Sequence, residues 1–246
     1  MHIRDSVLGN HLFAELLPEV QDQLLAQMEW IDLPLGMVLC ESGEKLHHVY
    51  FPTDSIVSLL SVMENGASAE ISIVGNDGFV GIAILMGGGS TPSRCIVQSA
   101  GSAFRLPAYR FRDAVHGNPH TLHLMLRYAQ ALLTQMAQTA VCNRHHSIDQ
   151  QLCRWLLLSL DRLSGSQLTM TQELISNMLG VRREGVTEAA GKLQRSGVIE
   201  YARGRLTVID RPRLEALCCE CYAVVKKETH RLLPYMASAY RAKPSS

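Results

Sequence analysis

Residues 171–210 carry the pattern of two short helices that cross closely and are followed by a β-hairpin. Thr171 suits the N-cap of the first helix, ahead of Gln172 and Glu173 in its first turn. Ser176 is small at the position where a bulky side chain would hold the helices apart. Gly180 suits the turn, which needs a positive φ. A small core is expected from Ile175, Leu179, Val181, Val186 and Ala189. The pattern predicts a helix-turn-helix.

The second helix of such a motif lies in the DNA major groove, with its N-terminal residues against base edges. Arg182, Arg183 and Glu184 occupy its first turn, and Thr187 and Glu188 lie one turn further on. Arginine bonds bidentately to guanine and glutamate accepts from cytosine, which makes Arg183 and Glu184 the strongest candidates for base contacts. The alternative is that they are ordinary solvated charges.

Two short apolar runs after the second helix flank Arg203, Gly204 and Arg205. This arrangement predicts a hairpin wing whose two arginines contact phosphate. A turn that carries two solvated arginines without a DNA role is the alternative.

The composition is that of a globular protein with a substantial core, 47% hydrophobic and 19% charged over 246 residues. Lys plus Arg and Asp plus Glu both total 23, so the overall charge carries no nucleic-acid signature. We see no secretory signal, and the apolar runs are too short to span a bilayer. The seven cysteines, odd in number and irregularly spaced, suit a reducing cytoplasm better than a disulfide framework.

The amino-terminal half changes from helical to strand pattern. Residues 8–28 predict two short helices interrupted at Pro18, and residues 31–107 alternate short β-branched runs with turn residues. Short strands at near-regular spacing predict a small antiparallel barrel or roll. The run from Gly87 to Ser90 is either a flexible turn between strands or a backbone cradle for a phosphate.

Helical pattern resumes after Asn118 and Pro119, and residues 120–143 contain neither Gly nor Pro. A repeat of alternating three and four residues joins Leu122, Met125, Ala129, Leu132 and Met136. It predicts either a coiled-coil seam or a helix packed on its own domain. A second helix is expected over 147–163, with Leu152, Leu156 and Leu160 on one face, and residues 212–240 look mostly helical. The fold class is α+β.

The chain resembles the Crp/Fnr (cyclic-AMP receptor protein and fumarate–nitrate regulator) superfamily of bacterial transcription regulators, most sharply over 171–173 and 180–186. The resemblance implies a β-roll sensor domain over 1–118, a dimerisation helix over 119–146 and a winged helix-turn-helix over 147–246. It implies three partners: double-stranded DNA, a second copy of the chain and RNA polymerase. The expected DNA-binding residues are Thr171, Gln172, Arg182, Arg183, Glu184, Thr187, Glu188, Arg203 and Arg205.

Two positions of the DNA-reading helix depart from the family. Glu188 stands where the cyclic-AMP regulator has a base-contacting Arg, so the target sequence should differ there. Arg182 replaces a Ser that caps the recognition helix, so the cap must come from elsewhere.

The sensor half departs from the family at the cyclic-nucleotide cassette. The family pattern has a Gly-Glu pair, whose carboxylate holds a ribose hydroxyl, and an Arg that pairs with the cyclic phosphate. Here Gly81 is followed by Ile82, and Arg94 is followed by Cys95. Because Ile82 cannot accept the ribose hydrogen bond, cyclic AMP is not the expected effector. The four residues remain the candidate effector site, with the effector unidentified and no cofactor expected.

Metal and redox sensing have little support in the sequence. No cysteine precedes Cys40, which argues against an iron–sulfur sensor. Cys218, Cys219 and Cys221 would point in different directions on one helix, so a metal site there needs an outside ligand or a local break. No metal site is predicted.

The sequence therefore predicts a cytoplasmic, homodimeric transcription regulator that binds a palindromic DNA site under the control of a signal at the β-roll. The alternative is a ligand-sensing regulatory or scaffold module that binds protein rather than DNA. No convincing nucleophile–base pair is present, so the chain is not predicted to be an enzyme.

Overall fold

The computed structural model describes residues 6–236. Its amino-terminal part is a roll of antiparallel strands, as predicted, arranged in sheets of order β1-β7-β3 and β2-β6-β4-β5. The strands are β1 (Glu29–Leu33), β2 (Val38–Cys40), β3 (His48–Pro52), β4 (Ile56–Val62), β5 (Ser68–Val74), β6 (Arg94–Ser99) and β7 (Gly101–Pro107).

Two short helices precede the roll, α1 (His11–Ala14) and α2 (Pro18–Leu25), and the second begins at the proline that was predicted to divide them. The buried Asn10 accepts from the Phe13 N–H at 2.9 Å and so caps α1. Inside the roll, the Phe51, Phe79 and Phe111 rings pack with centroids 4.8–5.7 Å apart. These aromatic contacts form the centre of the sensor-domain core.

A short helix, α3 (Ala108–His116), leads into the long helix α4 (Pro119–His145). Asn118 accepts from the Thr121 N–H at 2.9 Å, which caps α4. The Tyr128 hydroxyl donates to the Phe79 carbonyl at 3.0 Å and fixes the helix on the roll. Gly78 permits this approach, because a Cβ there would lie 2.2 Å from the Tyr128 ring.

Of the two alternatives for the apolar repeat of α4, the structure shows the helix packed on its own domain and not a coiled-coil seam. Met125, Ala129 and Leu132 are buried, and Leu122 and Met136 pack on the sensor core, so this face contacts its own domain. The side chains one position later point outward. The exposed stripe, which again alternates steps of three and four, consists of His123, Leu126, Gln130, Leu133, Ala137, Ala140 and Arg144.

The carboxyl-terminal part is a winged helix-turn-helix. Its elements are α5 (Ile148–Asp161), β8 (Gln167–Thr169), α6 (Gln172–Leu179), α7 (Arg183–Arg195), β9 (Ile199–Ala202), β10 (Arg205–Val208), α8 (Arg211–Leu217) and α9 (Glu220–Leu232). Strand β8 was not predicted; it pairs with β10 and completes a sheet of order β8-β10-β9. Of the segment expected to be helical, 237–240 lies outside the described residues.

Helix α5 is enclosed by both parts of the chain. Ser147 and Gln150 form a reciprocal capping box at its start. Every residue from 151 to 161 is buried, not only the face of Leu152, Leu156 and Leu160. The helix therefore lies in the interior rather than on a surface.

Cys40 and Cys95 face each other on β2 and β6 and form a disulfide. This corrects the expectation drawn from the irregular cysteine spacing, because strand pairing brings together residues that are 55 positions apart. Within the described residues, no helix is long and apolar enough to cross a membrane.

Candidate nucleic-acid interface and sensor pocket

The helix-turn-helix has the local geometry that its residues predict. The Thr171 hydroxyl accepts from the Leu174 N–H at 3.1 Å and caps α6. Gly180 ends the helix with φ +66°. A Cβ at Gly180 would also lie 3.0 Å from the Cβ of Ala69 on β5, so the turn contacts the β-roll. The buried Ser176 turns its hydroxyl back to the Glu173 carbonyl at 2.8 Å.

The recognition helix α7 presents its first turn to solvent. Arg182 is its N-cap residue but makes no side-chain cap hydrogen bond, so the loss of the capping Ser is not compensated by this side chain. Arg183 and Glu184 are exposed, whereas Val186 and Ala189 are buried against the rest of the domain. The two candidate base-reading side chains are therefore free to meet a groove.

Thr187 and Glu188, the candidates one turn further on, are engaged within the protein. The Thr187 hydroxyl lies 2.8 Å from Gln172 Oε1 and 3.0 Å from the Arg183 carbonyl. Glu188 pairs with Lys192 at 3.0 Å. Thr187 thus links α7 to α6. Glu188 would have to break its ion pair with Lys192 in order to contact a base.

The wing is a tight hairpin between β9 and β10. Arg203 and Gly204 both have positive φ, +50° and +75°, as a two-residue hairpin turn requires. Arg203 and Arg205 are exposed at its tip. An open groove of about 260 Å³ lies between wing and recognition helix, lined by Thr171, Gln172, Arg183, Tyr201, Ala202, Arg203 and Gly204.

Tyr201 was missed at the sequence level. Its hydroxyl donates to the Met170 carbonyl at 2.9 Å, which holds the wing beside the start of α6. The alternation of side chains along β9 could have indicated that this half-buried ring faces the groove. Its hydrogen-bond partner could not be predicted, because Met170 follows β8 and is 31 residues away in sequence. Of the predicted DNA-binding residues, the groove is thus lined by Thr171, Gln172, Arg183 and Arg203, and Arg182 and Glu184 lie in the adjoining first turn of α7.

Three of the four candidate effector residues, Gly81, Ile82 and Cys95, line one small cavity, and Arg94 does not. Arg94 pairs with Glu41 at 3.1 Å, and Cys95 is bonded to Cys40. Gly81 has φ +115° and precedes a 3₁₀ turn, Ile82–Ile84. The cavity beside Gly81 and Ile82 is about 20 Å³ and lined largely by apolar side chains, with Arg94 not among them.

A cavity of that size has room for about one water molecule. The lining is largely apolar, and Ile82 stands where the cyclic-nucleotide pattern has a carboxylate. The neighbouring run 87–90 is a turn in which Gly87 and Gly89 have positive φ and the Gly88 N–H donates to the Ala83 carbonyl at 3.0 Å.

A buried polar chain connects the β-roll to α5. The Ser58 hydroxyl lies 2.6 Å from Glu70 Oε2 and 2.7 Å from Gln98 Oε1, and Gln98 Nε2 donates to the Ser159 hydroxyl at 3.0 Å. Burial raises the pKa of Glu70 to about 7, against the opposing effects of the Ser58 hydrogen bond and nearby Arg154.

The three carboxyl-terminal cysteines are not on one helix. Leu217 ends α8, Cys218 and Cys219 are extended, and α9 begins at Glu220. This break corrects the expectation of a continuous helix there. It also brings Cys219 and Cys221 together with Cys142 and His146 of the long helix region.

The two parts of the structure match two known domain families. Residues 30–118 match the cyclic nucleotide-binding domain and residues 150–217 match the Crp-like helix-turn-helix domain. No curated protein matches the chain in sequence. Together, a β-roll of this type, a long connecting helix and a winged helix define the class of two-domain regulators with a helix-turn-helix DNA-binding domain.

Solved structures show the same fold. A protein from Eubacterium rectale assigned to the Crp/Fnr family of transcriptional regulators is 15% identical, with 84% of this chain and 96% of that chain covered and a TM-score of 0.65. FixK2 from Bradyrhizobium japonicum is 15% identical, with 78% and 98% covered and a TM-score of 0.65. A Crp-family regulator from Thermus thermophilus is 17% identical, with 76% and 95% covered and a TM-score of 0.63.

The chain belongs to the Crp/Fnr superfamily of transcription regulators, as its two domain matches show.

Proposed function

We propose that this chain binds a specific double-stranded DNA sequence as a homodimer and regulates transcription. The observation that carries the proposal is the exposed first turn of α7, where Arg183 and Glu184 stand beside the groove that the wing completes. Arg203 and Arg205 at the wing tip supply phosphate contacts, which position the recognition helix but carry no sequence information.

The dimer uses the exposed stripe of α4. Leu126 and Leu133, seven residues apart on one side of the helix, are 59% and 55% exposed. Pairing of two α4 helices about a two-fold axis would cover both stripes at once, in the manner of a coiled coil. The seam is thus displaced by one residue from the apolar repeat that is most regular in the sequence.

Two-fold symmetry determines the form of the DNA site. It places two α7 helices about 34 Å apart, one DNA turn, so that each reads one half of a palindrome. Selection of bound sequences from random duplex DNA tests this directly. Recovery of an enriched palindrome supports the proposal, and binding without any enriched sequence overturns it.

The signal acts through the contact of β-roll and winged helix, and it is not cyclic AMP. The small volume of the cavity beside Ile82, about 20 Å³, and its largely apolar lining support this part of the proposal. A signal shifts the regulator only by binding one arrangement of the two domains better than the other. Addition of cyclic AMP should change neither the thermal unfolding temperature nor DNA affinity; a shift in both would refute this part of the proposal.

We place the regulator in the cytoplasm, where it would meet DNA and RNA polymerase. Co-purification of the polymerase with the DNA-bound dimer, compared with DNA alone, tests that partner.

A further inference from the structure

The side chains of Cys142, His146, Cys219 and Cys221 converge where the end of α4 meets the start of α9. Their ligand-type atoms all lie within 4.8 Å of one another. Cys142 Sγ is 3.6 Å from Cys219 Sγ, and Cys221 Sγ is 3.6 Å from His146 Nδ1. None of these four contributes to the DNA-binding surface described above.

The backbone explains how four distant residues share one point. Cys142 and His146 are four residues apart at the end of α4 and so lie on one side of the helix. Cys219 is the extended N-cap of α9, and Cys221 lies in its first turn. The break between α8 and α9 lets both sulfurs face α4, which a continuous helix would prevent.

The environment of the four residues is that of a closed site. Cys142, Cys219 and Cys221 are 0%, 5% and 1% exposed. His146 Nε2 lies 3.3 Å from the Glu220 carboxylate. A carboxylate that accepts the Nε2–H leaves the Nδ1 lone pair directed at the cysteines, the second-shell arrangement typical of metal-bound histidine.

We propose that Cys142, His146, Cys219 and Cys221 form a structural zinc site. Three cysteines and one histidine are a common ligand set for a tetrahedral structural zinc ion. With Zn–S bonds of about 2.3 Å and Zn–N bonds of about 2.0 Å, ligand atoms of a tetrahedron lie about 3.6–3.8 Å apart. The Cys142–Cys219 and Cys221–His146 separations, both 3.6 Å, agree with that spacing.

Charge balance identifies a further participant. Zinc binding replaces the protons of three thiols, which leave to solvent, so the ligated site carries one net negative charge. Arg154 is buried and acts electrostatically on Cys142. Its Nε makes no hydrogen bond among the described residues. The guanidinium therefore offsets the charge of the thiolates inside the protein.

The site would hold the connection between the β-roll domain and the DNA-binding domain in a fixed geometry. His146 immediately precedes Ser147, the cap of α5, so the metal joins the α4–α5 connection to the helices that follow the wing. Zinc would thereby restrict how the helix-turn-helix turns relative to α4.

Elemental analysis of the full chain, purified in reductant without chelator, tests the assignment. We expect about one zinc ion per chain. Cys142→Ser and Cys219→Ser should retain less than about a tenth of that, whereas Cys153→Ser and Cys218→Ser, which alter neighbouring cysteines outside the four, should retain it in full. Glu220→Gln should weaken zinc affinity about tenfold without abolishing binding.

Cobalt provides a readout that does not depend on variants folding. Co(II) added to metal-free wild-type protein should produce a thiolate charge-transfer band and the visible bands of tetrahedral cobalt. Absence of both zinc and the cobalt spectrum would overturn the proposal. So would iron in place of zinc, a Cys142–Cys219 disulfide that persists in protein purified in reductant, or equal metal loss in the Cys218→Ser control.

Discussion

Arg162 and Asp77 form a buried, two-point ion pair that joins the residue after α5 to the turn after β5, with Nη2–Oδ2 and Nε–Oδ1 distances of 2.7 and 3.1 Å. The two side chains are 6% and 10% exposed. The same guanidinium donates to the Leu158 carbonyl at 2.8 Å. Since one partner belongs to the β-roll and the other to the DNA-binding half, the pair couples the positions of the two domains.

Loss of one member of this pair should destabilise the protein strongly. Asp77→Asn removes the carboxylate of this pair while Arg162 stays charged and buried, so we expect the free energy of unfolding to fall by about 3–5 kcal/mol. Urea unfolding measures the change. The double variant Asp77→Asn, Arg162→Met should recover part of the loss; a double variant less stable than either single one would contradict this account.

Substitution of Arg183 and substitution of Arg203 should weaken DNA binding in different ways. Arg183→Ala should cost about 1–3 kcal/mol on the selected site and relax the preference for one base pair. Arg203→Ala should weaken binding to all sequences and reduce the salt dependence, because it removes a phosphate contact. Binding titrations at several salt concentrations distinguish the two. Arg195→Ala, at the far end of α7, is the control; an equal loss there would argue against the predicted docking.

Leu133→Glu should separate the dimer without unfolding the protomer. The side chain is 55% exposed on the exposed stripe of α4, so a charge there should leave the folded protomer intact and disfavour only its association with a second copy. Native mass spectrometry at micromolar concentration should show monomer. Met63→Glu alters a side chain that is 62% exposed on the β-roll and should leave the dimer intact. Dimer persisting in Leu133→Glu would reject this seam.

Stability should fall as pH rises from about 4.5 to about 7 because of Glu70. Its pKa is about 7 in the folded protein, raised from 4.5, so the unfolded chain loses the proton first. Between those pH values the free energy of unfolding should drop by up to about 1.4 kcal/mol per pH unit. Glu70→Gln should flatten that segment of the stability curve, whereas exposed Glu64→Gln should not. An unchanged slope in Glu70→Gln would refute the assignment.

Local rules predicted most of the helix-turn-helix. The Thr171 cap, the positive φ of Gly180 and the two-residue turn at Arg203 and Gly204 depend on neighbours in sequence, so the residue types suffice. Strand β8 escaped notice because its three residues gain their conformation only by pairing with β10.

The register of α4 and the zinc cluster depend on tertiary contacts. Leucine occurs at both 132 and 133, so hydrophobicity alone does not decide which face meets the roll and which meets a second copy. Cys142 and Cys219 are 77 residues apart, and the break that lets Cys219 turn inward follows from packing of α9 on α4. Only the assembled fold shows that these residues belong together.

From residue 151 to residue 161, helix α5 has no solvent-exposed face on which substitutions would be tolerated. A surface helix accepts substitutions on its outer face about every third or fourth position. Across residues 151–161 each side chain is buried, and even the polar ones are committed, as Ser159 is to Gln98 and Arg154 is to Thr139. Amino-acid substitutions should therefore accumulate most slowly along α5, and the positions that do change should show no 3.6-residue periodicity.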